Sequence, residues 1–488
     1  MFNDISLKVL ITQVLQENKK GGLRTMIKKI SLVLLALLLI TGCSKGKGDA
    51  GDLGDVSEMT TDEITLTYAS WQHDAIQDAL IDAFVEKYPN ITVERVSVDN
   101  ENWMDGLTNM AGTGELPDAF WYQANVDVPI RNGWLGDMTQ FWENDPESKE
   151  VLTTLQDMGR FDGERKLAAA VNYEPFTIFL DENVFNKLNV DMPSHDWTYS
   201  EMIELMETMT VPEQGIFGYN DFTLLLTMAP IVNGDALGEF GWDGETYDLT
   251  GEWAKALLQQ AEFVRSGVHA PGFDTDEAEA AFGDRLLWSA SSGRVAIQLD
   301  AWWTKNLFAT QEFVDKGISW VPYAVPKGDN AETEHKPAFT DFGTISPTSK
   351  HPREAYELLK FMGWGKEGWE VKLDVYANLL GDDGEKVFTF PEGLPITGNQ
   401  AIWDGLEKQL PQNDYYKNFL THAKEPIPLG GATMPGFQTF LEEVYFGGDY
   451  GHVEFESIQG NINPSDVAQD LTEKLNQYRE EALAELFE

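Results

Sequence analysis

Apolar and polar residues follow two alternating periods along the chain, and these periods predict an α/β fold. Residues 64–68 alternate as in a strand with one buried face. Residues 74–88 carry apolar side chains at helical spacing, and Pro89 ends the pattern. Residues 91–93 alternate again. A strand, a helix and a strand within about 35 residues form a βαβ unit, which implies parallel pairing through a right-handed crossover.

The same order of strands and helices continues through the rest of the chain. Thr198 and Glu201 have the spacing of a capping box, and Pro352 suits the first position of a helix. Residues 62–488 contain no long linker rich in proline or serine, so any two lobes are joined by short crossings. The pattern predicts further helices over residues 103–110, 198–208, 352–362 and 465–483, and further strands over residues 116–121, 294–299 and 318–325.

The N-terminal residues have the pattern of an export signal. Lys28 and Lys29 precede an apolar run over residues 30–40, which ends just before Cys43, the only cysteine. A run of about 11 residues is too short to span a membrane, which takes about 20, but it fits a signal peptide. The ending Ile-Thr-Gly-Cys resembles the lipobox of bacterial lipoproteins, in which the cysteine is diacylated and becomes the new N-terminus. This resemblance implies that residues 1–42 are a signal peptide and that Cys43 carries a lipid anchor.

The start of this signal peptide has two alternatives, Met1 and Met26, since Met26 opens a conventional signal peptide by itself. Residues 43–61 are rich in glycine and poor in apolar side chains, so we expect a flexible tether between the lipid and the folded part. We therefore expect the protein on the extracellular side of the cell membrane, anchored as in Gram-positive bacteria. A single cysteine allows no internal disulfide.

The composition is that of a large, acidic, folded protein. Its 488 residues suffice for about two to four domains, and 42% apolar residues exclude a chain that is disordered throughout. The 81 acidic residues outnumber the 35 lysines and arginines, which leaves a net charge of −46. Such a charge repels nucleic acid, so we expect no nucleic-acid partner. A solvated acidic surface that keeps an exported protein soluble accounts for the excess.

The sequence lacks the motifs of common enzyme classes. It contains no Gly-x-Ser-x-Gly, no His-Glu-x-x-His and no phosphate-binding Gly-x-x-x-x-Gly-Lys. Its seven histidines lack the spacing of metal ligands, so we expect neither a metal nor a cofactor. Residues 243–248 and 273–276 carry alternating oxygens, but without the EF-hand pattern they indicate turns rather than calcium loops. Pairs of carboxylates carry no information on glycosidase activity in a chain this acidic.

Five short stretches, in a fixed order, resemble a known family. That family is family 1 of the extracellular solute-binding proteins of ABC importers, which includes the maltose-binding protein and many Gram-positive sugar-binding lipoproteins. Residues 364–457 match no part of the family pattern. The matching stretches are FVEKYPNITV at 84–93, GTGELPD at 112–118, GWLGDM at 133–138, GRVAI at 293–297 and ISPTSKHPREA at 345–355.

This resemblance implies a two-lobed α/β fold of the type II periplasmic-binding-protein class, with the ligand cleft between the lobes. It also implies a monomeric, non-catalytic receptor that passes a carbohydrate to the transmembrane subunits of an ABC permease. The crossings between the lobes would lie at residues 168–176 and 337–345. By the family's topology, the first lobe would comprise residues 62–170 and about 342–375, and the second residues 171–341 and about 376–488.

Aromatic residues that follow predicted strands are the candidate sugar-binding plates. A pyranose ring presents its C–H face to a flat apolar side chain and its hydroxyls to polar groups. Ligands of α/β sheets lie beyond the carboxyl ends of strands. The resemblance implies ligand-facing tryptophans at Trp71, Trp121 and Trp302. The chain has 15 tryptophans, and the aromatic residues at such strand ends are Trp71, Trp121, Tyr122, Trp302 and Trp303.

Polar candidates lie beside these plates and at the crossings. The resemblance aligns Glu174 with a sugar-binding carboxylate, with Tyr173 beside it, and Phe342 lies at the second crossing. The competing interpretation is structural, since a tryptophan after a strand often packs the core and an aspartate there often caps a turn. We assign to packing Trp134, Trp142, Trp320, Trp364 and Trp369. The other polar candidates are Gln72, Asp74, Asn102 and Asp300.

Three functions compete on this sequence. The first is a carbohydrate receptor of an ABC importer, and the second is a receptor of the same fold for a peptide, polyamine or polyol. The third is a membrane-tethered carbohydrate-active enzyme. A polyamine would suit the negative charge, but a cation site needs only a few convergent carboxylates in the cleft, so the net charge decides little.

Overall fold

The computed structural model describes residues 51–487, except for 54–55, 100–101, 123–125, 221–223, 331–333 and 382–383. The predicted signal peptide and the predicted lipid attachment site Cys43 lie outside the described residues. The strands are β1 Gly51–Asp52, β2 Ile64–Ala69, β3 Ile91–Arg95, β4 Ala119–Tyr122, β5 Gly136–Asp137, β6 Ala169–Asp181, β7 Phe217–Asn220, β8 Val295–Ala301, β9 Trp320–Ala324, β10 Lys336–Ile345 and β11 Pro426–Pro428.

Helices alternate with these strands in the first two thirds of the chain and dominate the last third. In chain order they are α1 Asp74–Lys87, α2 Trp103–Thr113, α3 Asp127–Arg131, α4 Thr139–Asn144, α5 Glu182–Leu188, α6 Tyr199–Thr208, α7 Leu224–Gly234, α8 Glu252–Ser266, α9 Asp276–Phe282, α10 Lys305–Phe308, α11 Gln311–Asp315, α12 Pro352–Met362, α13 Lys366–Asn378, α14 Gln400–Glu407, α15 Asp414–Ala423, α16 Phe437–Phe440, α17 Val453–Ile458 and α18 Pro464–Phe487.

Within the described residues, nine strands form one mixed sheet in the order β3-β2-β4-β10-β6-β8-β7, with β11 beside β10 and β9 beside β6. β2 and β3 pair in parallel, with Leu66 opposite Val93, and α1 connects them. The predicted βαβ unit is therefore confirmed. β1 pairs in parallel with β5, so the chain joins the fold before residue 62.

Two long strands, β6 and β10, connect the two halves of this sheet. The first part of β6, up to Pro175, pairs antiparallel with β10, and the second part, from Phe176, pairs with β8 and β9. β10 also pairs with β4, and its register shifts between Asp341 and Phe342. The segments predicted as crossings therefore lie side by side as one antiparallel ribbon, which we call the hinge ribbon.

Apolar side chains form separate core clusters in the two halves. The first cluster surrounds β2 and α1 and includes Leu66 and Phe84. The second lies under β8 and α6 and includes Leu299 and Met202. Residues 394–423 contribute to the first cluster, although the sequence placed them in the second lobe. The lobe boundary near residue 375 stays a prediction. Any test of this boundary has to account for the packing of residues 394–423 in the first cluster.

The C-terminal helix α18 spans two further clusters. Leu471 and Leu475 pack in the third cluster with α8, whereas Leu486 packs in the fourth cluster, around β4 and α2. Glu485 forms an ion pair with Arg131 of α3 in the same region. The last turn of α18 therefore packs in the same cluster as Ala69 of β2.

Local predictions are confirmed at several positions. The hydroxyl of Thr198 accepts a hydrogen bond from the Glu201 amide at 3.3 Å, and the Glu201 carboxylate accepts one from the Thr198 amide at 2.8 Å, which forms the predicted capping box.

In the described part of the chain, no helix is both long and apolar enough to cross a membrane. The tryptophans assigned to packing are all buried: Trp134, Trp142, Trp320, Trp364 and Trp369.

Candidate functional site

Three indoles cluster near the carboxyl ends of β2 and β4, with Trp121 inside β4 itself. Trp71 is half-buried and meets the rings of Trp103 and Trp121 edge to face, at centroid distances of 5.1 and 5.4 Å. The Trp103 indole donates a hydrogen bond to the carbonyl of Trp121 at 2.9 Å. Trp103 was not among the predicted site residues, because its helical position looked like ordinary packing. The cluster fixes the Trp71 ring in place and leaves part of it open to solvent.

Two of the predicted aromatic contacts lie in the core beside this cluster. Tyr122 and Phe342 are buried and stack with ring centroids 5.6 Å apart and an interplanar angle of 19°. Burial raises the pKa of the Tyr122 hydroxyl well above its usual range. This contact joins β4 to β10 at the end of the hinge ribbon. As ligand contacts, Tyr122 and Phe342 stay predictions.

The hinge ribbon has one polar face. Asn172 lies opposite Asp341, and Glu174 lies opposite Phe339. Residues directly opposite in an antiparallel pair share a face, as do residues two apart along a strand. The Asn172 amide donates a hydrogen bond to the Asp341 carboxylate at 3.0 Å. Tyr173 points to the other face, where its hydroxyl donates to the carbonyl of Ala423 at 2.8 Å.

Glu174 is the central group of this polar face. The residue is 8% exposed, and its Oε2 atom has no hydrogen-bond partner among the described residues. Burial raises the pKa of Glu174 to about 8, the carboxyls of Asp341 and Glu392 add to the rise, and the Lys305 ammonium opposes it. A buried carboxyl oxygen without a partner is costly unless the group is protonated or this oxygen receives a donor.

Lys305 lies beside Glu174 and is also buried. Its ammonium donates to the carbonyls of Trp302 at 3.0 Å and Glu392 at 3.3 Å. Burial lowers the pKa of Lys305 to about 7, although Glu174 and Glu392 favour its charged form. These two carbonyls use two of the three donors of the Lys305 ammonium, and the Oε2 atom of Glu174 has no hydrogen-bond partner among the described residues.

Trp302 is enclosed on all sides. It is 0% exposed, its ring stacks on Phe419 at 4.5 Å with an interplanar angle of 12°, and the Lys305 ammonium lies 4.3 Å from its ring centroid. Its indole nitrogen donates to the carbonyl of Pro391 at 3.2 Å. Trp121 is likewise buried. Both residues stay predictions as ligand contacts, and in this arrangement neither ring face of Trp302 is open.

Trp303 differs sharply from its neighbour. It is 37% exposed, and its ring lies 4.9 Å from that of Phe339 with an interplanar angle of 39°. Asp300 is buried, which raises its pKa to about 6, and its carboxylate accepts a hydrogen bond from the Ala301 amide at 2.8 Å. The side chain of Trp303 also hydrogen-bonds to Asp300. Asp300 therefore positions Trp303.

A loop over residues 388–398 lies against this region. Phe390 and Asn306 exchange hydrogen bonds at 2.9 and 3.2 Å, and Ile396 accepts one from the Leu152 amide at 2.9 Å. Glu392, which interacts with Glu174 and Lys305, comes from this loop. Its position could not be predicted, because the family pattern does not extend to this segment. Asn172 and Asp341 were also missed, although they lie within the predicted crossings, and so was Lys305, although it closely follows Trp302 and Trp303.

The remaining predicted polar residues lie near α1 and α2. Asp74 is exposed and forms an ion pair with Arg95. Asn102 donates to the Asp99 carboxylate at 2.8 Å. Gln72 has a buried Oε1 atom without a hydrogen-bond partner among the described residues. In this respect it resembles the Oε2 atom of Glu174. These three residues also stay predictions as ligand contacts.

No cluster of metal-ligating side chains is present in the described residues. The segment 243–248 forms a turn, as predicted, in which the Asp243 carboxylate accepts hydrogen bonds from the amides of Glu245 at 2.8 Å and Thr246 at 2.7 Å. Around the hinge ribbon and the indole cluster, the described residues offer acceptor oxygens without partners among them and partly open indoles.

The mixed sheet with its hinge ribbon has the type II periplasmic-binding-protein-like fold, as the sequence predicted. An ABC substrate-binding protein from Listeria monocytogenes in complex with cycloalternan shares this fold with a TM-score of 0.63 and 17% identity, covering 85% of this chain and 99% of that chain. The cyclic alpha-maltosyl-1,6-maltose binding protein from Arthrobacter globiformis gives 0.64 and 15%, covering 86% and 100%. The GacH receptor of Streptomyces glaucescens gives 0.61 and 16%, covering 86% and 99%.

Sequence comparison specifies the family. The family of bacterial extracellular solute-binding proteins matches residues 69–363, which is more than half of the chain. The chain belongs to this family.

Proposed function

We propose that this protein is a lipid-anchored extracellular receptor that binds a carbohydrate, of oligosaccharide size, and delivers it to an ABC transporter permease. Membership of the solute-binding family supports a receptor, and the structures that share its fold include proteins named for sugar ligands. The proposed lipid anchor is Cys43, which the lipobox pattern supports. Catalysis forms no part of the proposal.

The observation that carries this proposal is the polar face of the hinge ribbon. Glu174 offers a buried acceptor oxygen without a partner among the described residues, and it lies opposite Phe339, whose ring is 4.9 Å from that of the partly exposed Trp303. Sugars need this combination, because each ring has hydroxyl donors and an apolar face. Trp71 supplies a second partly open ring from the other half of the sheet.

The proposed mechanism is capture between lobes. β6 and β10 are shared by both halves of the sheet, so rotation about them would change the width of the cleft. A ligand shifts the balance between open and closed arrangements only by its difference in affinity for the two. Contacts from both lobes supply that difference, and the permease would recognise the closed arrangement.

A second candidate is a cationic solute such as a polyamine. Burial raises the Glu174 pKa, and repulsion from the carboxyl groups of Asp341 and Glu392 adds to the rise. A bound ammonium group would relieve this repulsion. The Lys305 ammonium opposes this repulsion, but burial lowers its own pKa to about 7.

A thermal-shift screen separates these candidates. A ligand that binds only the folded state stabilises it, by about 2.7 kcal/mol at a concentration of 100 Kd. The panel comprises neutral tetrasaccharides (maltotetraose, cellotetraose and xylotetraose), uronates and polyamines. Stabilisation by a neutral tetrasaccharide supports the proposal, whereas stabilisation by polyamines alone favours the second candidate. Hydrolysis of chromogenic glycosides by the purified protein would contradict a purely receptor function.

A further inference from the structure

The loop over residues 388–398 lies over the polar face of the hinge ribbon. We propose that its middle part, residues 389–393, is a lid that opens before a ligand reaches Glu174, and that Asn306 is the latch that holds this lid shut. The inference rests on the proposed function, because it concerns access to the acceptor oxygen assigned there to the ligand. The movement of the lid can nevertheless be tested without any ligand.

The Glu174 carboxyl group is enclosed in the described arrangement, since its Oε2 atom is buried. The lid approaches this face of β6 at two points. The Glu392 carboxyl interacts electrostatically with Glu174. The backbone of Gly393 passes so close to Asn172 that a Cβ atom at Gly393 would lie 3.1 Å from the Asn172 Oδ1 atom. Asn172 and Glu174 are two residues apart on one strand and share a face, so the lid covers the acceptor oxygen.

Both ends of the loop are fixed in the core of the first half of the sheet. Before the lid, Phe388 is buried in the first cluster, and its ring meets that of Tyr376 at 5.4 Å. After the lid, Leu394 and Ile396 are fully buried in the same cluster. The Ile396 carbonyl also accepts a hydrogen bond from the Leu152 amide at 2.9 Å. Movement that leaves this core intact is therefore confined to the lid.

The latch consists of side chains after β8 that hold the main chain of the lid. The Asn306 side chain accepts a hydrogen bond from the Phe390 amide at 2.9 Å and donates one to the Phe390 carbonyl at 3.2 Å. The carbonyls of the next two residues accept hydrogen bonds from Trp302 at 3.2 Å and Lys305 at 3.3 Å. Bonds of this kind exchange for bonds to water at a small net cost. The lid can therefore open without disturbing the core.

The Phe390 ring makes the shut arrangement the resting state. It stacks on the Tyr416 ring at 5.4 Å with 23° between the planes, and opening would expose this apolar contact to water. Opening would also move the Glu392 carboxyl away from Glu174 and relieve the repulsion between them. The open lid is thus a minor state that a ligand can select.

Carboxyl labelling with carbodiimide and glycine ethyl ester, read by mass spectrometry, measures access to Glu174 in the ligand-free protein. Asn306→Ala removes both hydrogen bonds between the latch side chain and Phe390. The labelling rate of Glu174 should therefore rise about tenfold over the wild type. In the wild type, Glu174 should be labelled slowly, because the lid is shut most of the time.

Two controls separate lid opening from general loosening. Asn418→Ala removes an amide that donates to the Asp414 carbonyl within α15 at 2.8 Å, so it should leave the labelling of Glu174 unchanged. Glu354 of α12 is 4% exposed and lies outside the lid, so it reports global unfolding. Its labelling should be the same in all three proteins. A rise at Glu354 equal to that at Glu174 would overturn the inference.

Binding kinetics provide the second measurement, with maltotetraose, cellotetraose and xylotetraose as probes in stopped-flow tryptophan fluorescence. A probe that binds through the minor open state should associate about tenfold faster with Asn306→Ala, because the open population is larger. Asn418→Ala should associate at the rate of the wild type. An unchanged rate for Asn306→Ala would overturn the inference, since the lid would then lie off the path of the ligand.

The outcomes also separate this inference from the proposed function. If none of the three probes binds the wild type, the carbohydrate function fails, and the labelling of Glu174 alone decides whether the lid exists. If a probe binds but Asn306→Ala labels Glu174 no faster than Asn418→Ala does, the lid fails and the carbohydrate function stands.

Discussion

The rings of Trp302 and Phe419 stack almost parallel, with centroids 4.5 Å apart and 12° between their planes. Trp302 follows β8, whereas Phe419 belongs to α15, more than a hundred residues later. Both lie in the first core cluster together with Tyr173 of the hinge ribbon. This contact therefore connects the segment after β8 to the core of the other half of the sheet.

We expect Trp302→Ala to destabilise the protein strongly. Truncation of a fully buried tryptophan leaves a cavity, which typically lowers the free energy of unfolding by about 3–5 kcal/mol. Urea unfolding of the free protein measures the change. Trp303→Ala is the matched control, and its effect should stay below about 1 kcal/mol because the side chain is partly exposed. Equal losses in both variants would show that Trp302 has no special place in the core.

We expect the stability of the protein to depend on pH through Glu174. Burial raises its pKa to about 8 from 4.5, so the folded state holds a proton that the unfolded state has lost between these values. The stabilisation is complete below about pH 4.5 and is lost as the pH rises to about 8, by up to about 1.4 kcal/mol per pH unit. Lys305, with its pKa lowered to about 7, acts in the opposite direction at higher pH.

Glu174→Gln isolates this contribution, because glutamine stays neutral at every pH. The difference in free energy of unfolding between the variant and the wild type should move in favour of the variant between pH 5 and pH 8. Urea titrations at four pH values across this window measure it. A constant difference would mean that Glu174 titrates normally in the folded protein.

We expect Cys43→Ser to release the protein from the membrane. The serine cannot receive the thioether-linked lipid, and a soluble acidic domain has no affinity for an anionic surface. Cell fractionation with immunoblotting measures the distribution, and metabolic labelling with a fatty acid detects the lipid. Persistence of the variant in the membrane fraction, with processing at the same site, would contradict the proposed anchor.

We expect a stabilising sugar to close the cleft. Contacts from the two halves of the sheet are complete only in the closed arrangement, so the radius of gyration should fall on binding. Small-angle scattering with and without saturating sugar measures it, and Trp303→Ala at the same sugar concentration should close less. An unchanged scattering curve for the wild type, at a concentration that calorimetry shows to be saturating, would contradict capture between lobes.

The sequence predicted the local elements well where a periodic pattern and a clear end coincided. The helix after Thr198 begins at Tyr199 and ends at Thr208, since the capping box fixes its start. The strand predicted from residue 116 begins only at Ala119, because the preceding Asp118 uses its carboxylate to accept hydrogen bonds from the amide and hydroxyl of Thr67 at 2.8 Å. Side-chain pairing of this kind leaves no periodic signal.

The candidate site was predicted only in part, because it depends on contacts between distant segments. The family resemblance placed Glu174 at the first crossing, which the structure shows as part of the hinge ribbon. Nothing local in the sequence distinguishes Trp302 from Trp303, because the two residues are adjacent and of the same type. They differ in the structure because α15, a distant segment, covers Trp302 and not Trp303. Likewise, Glu392 reaches the site through a loop whose path is set by its hydrogen bonds to residues 302–306.

The reach of α18 has a consequence for the order of folding. Leu486 shares a cluster with Ala69, although the two residues are more than four hundred positions apart in the chain. Contacts of such high sequence separation form slowly. The packing of the final turn of α18 against this cluster is therefore expected to be a late event in folding, after the local βαβ unit has formed.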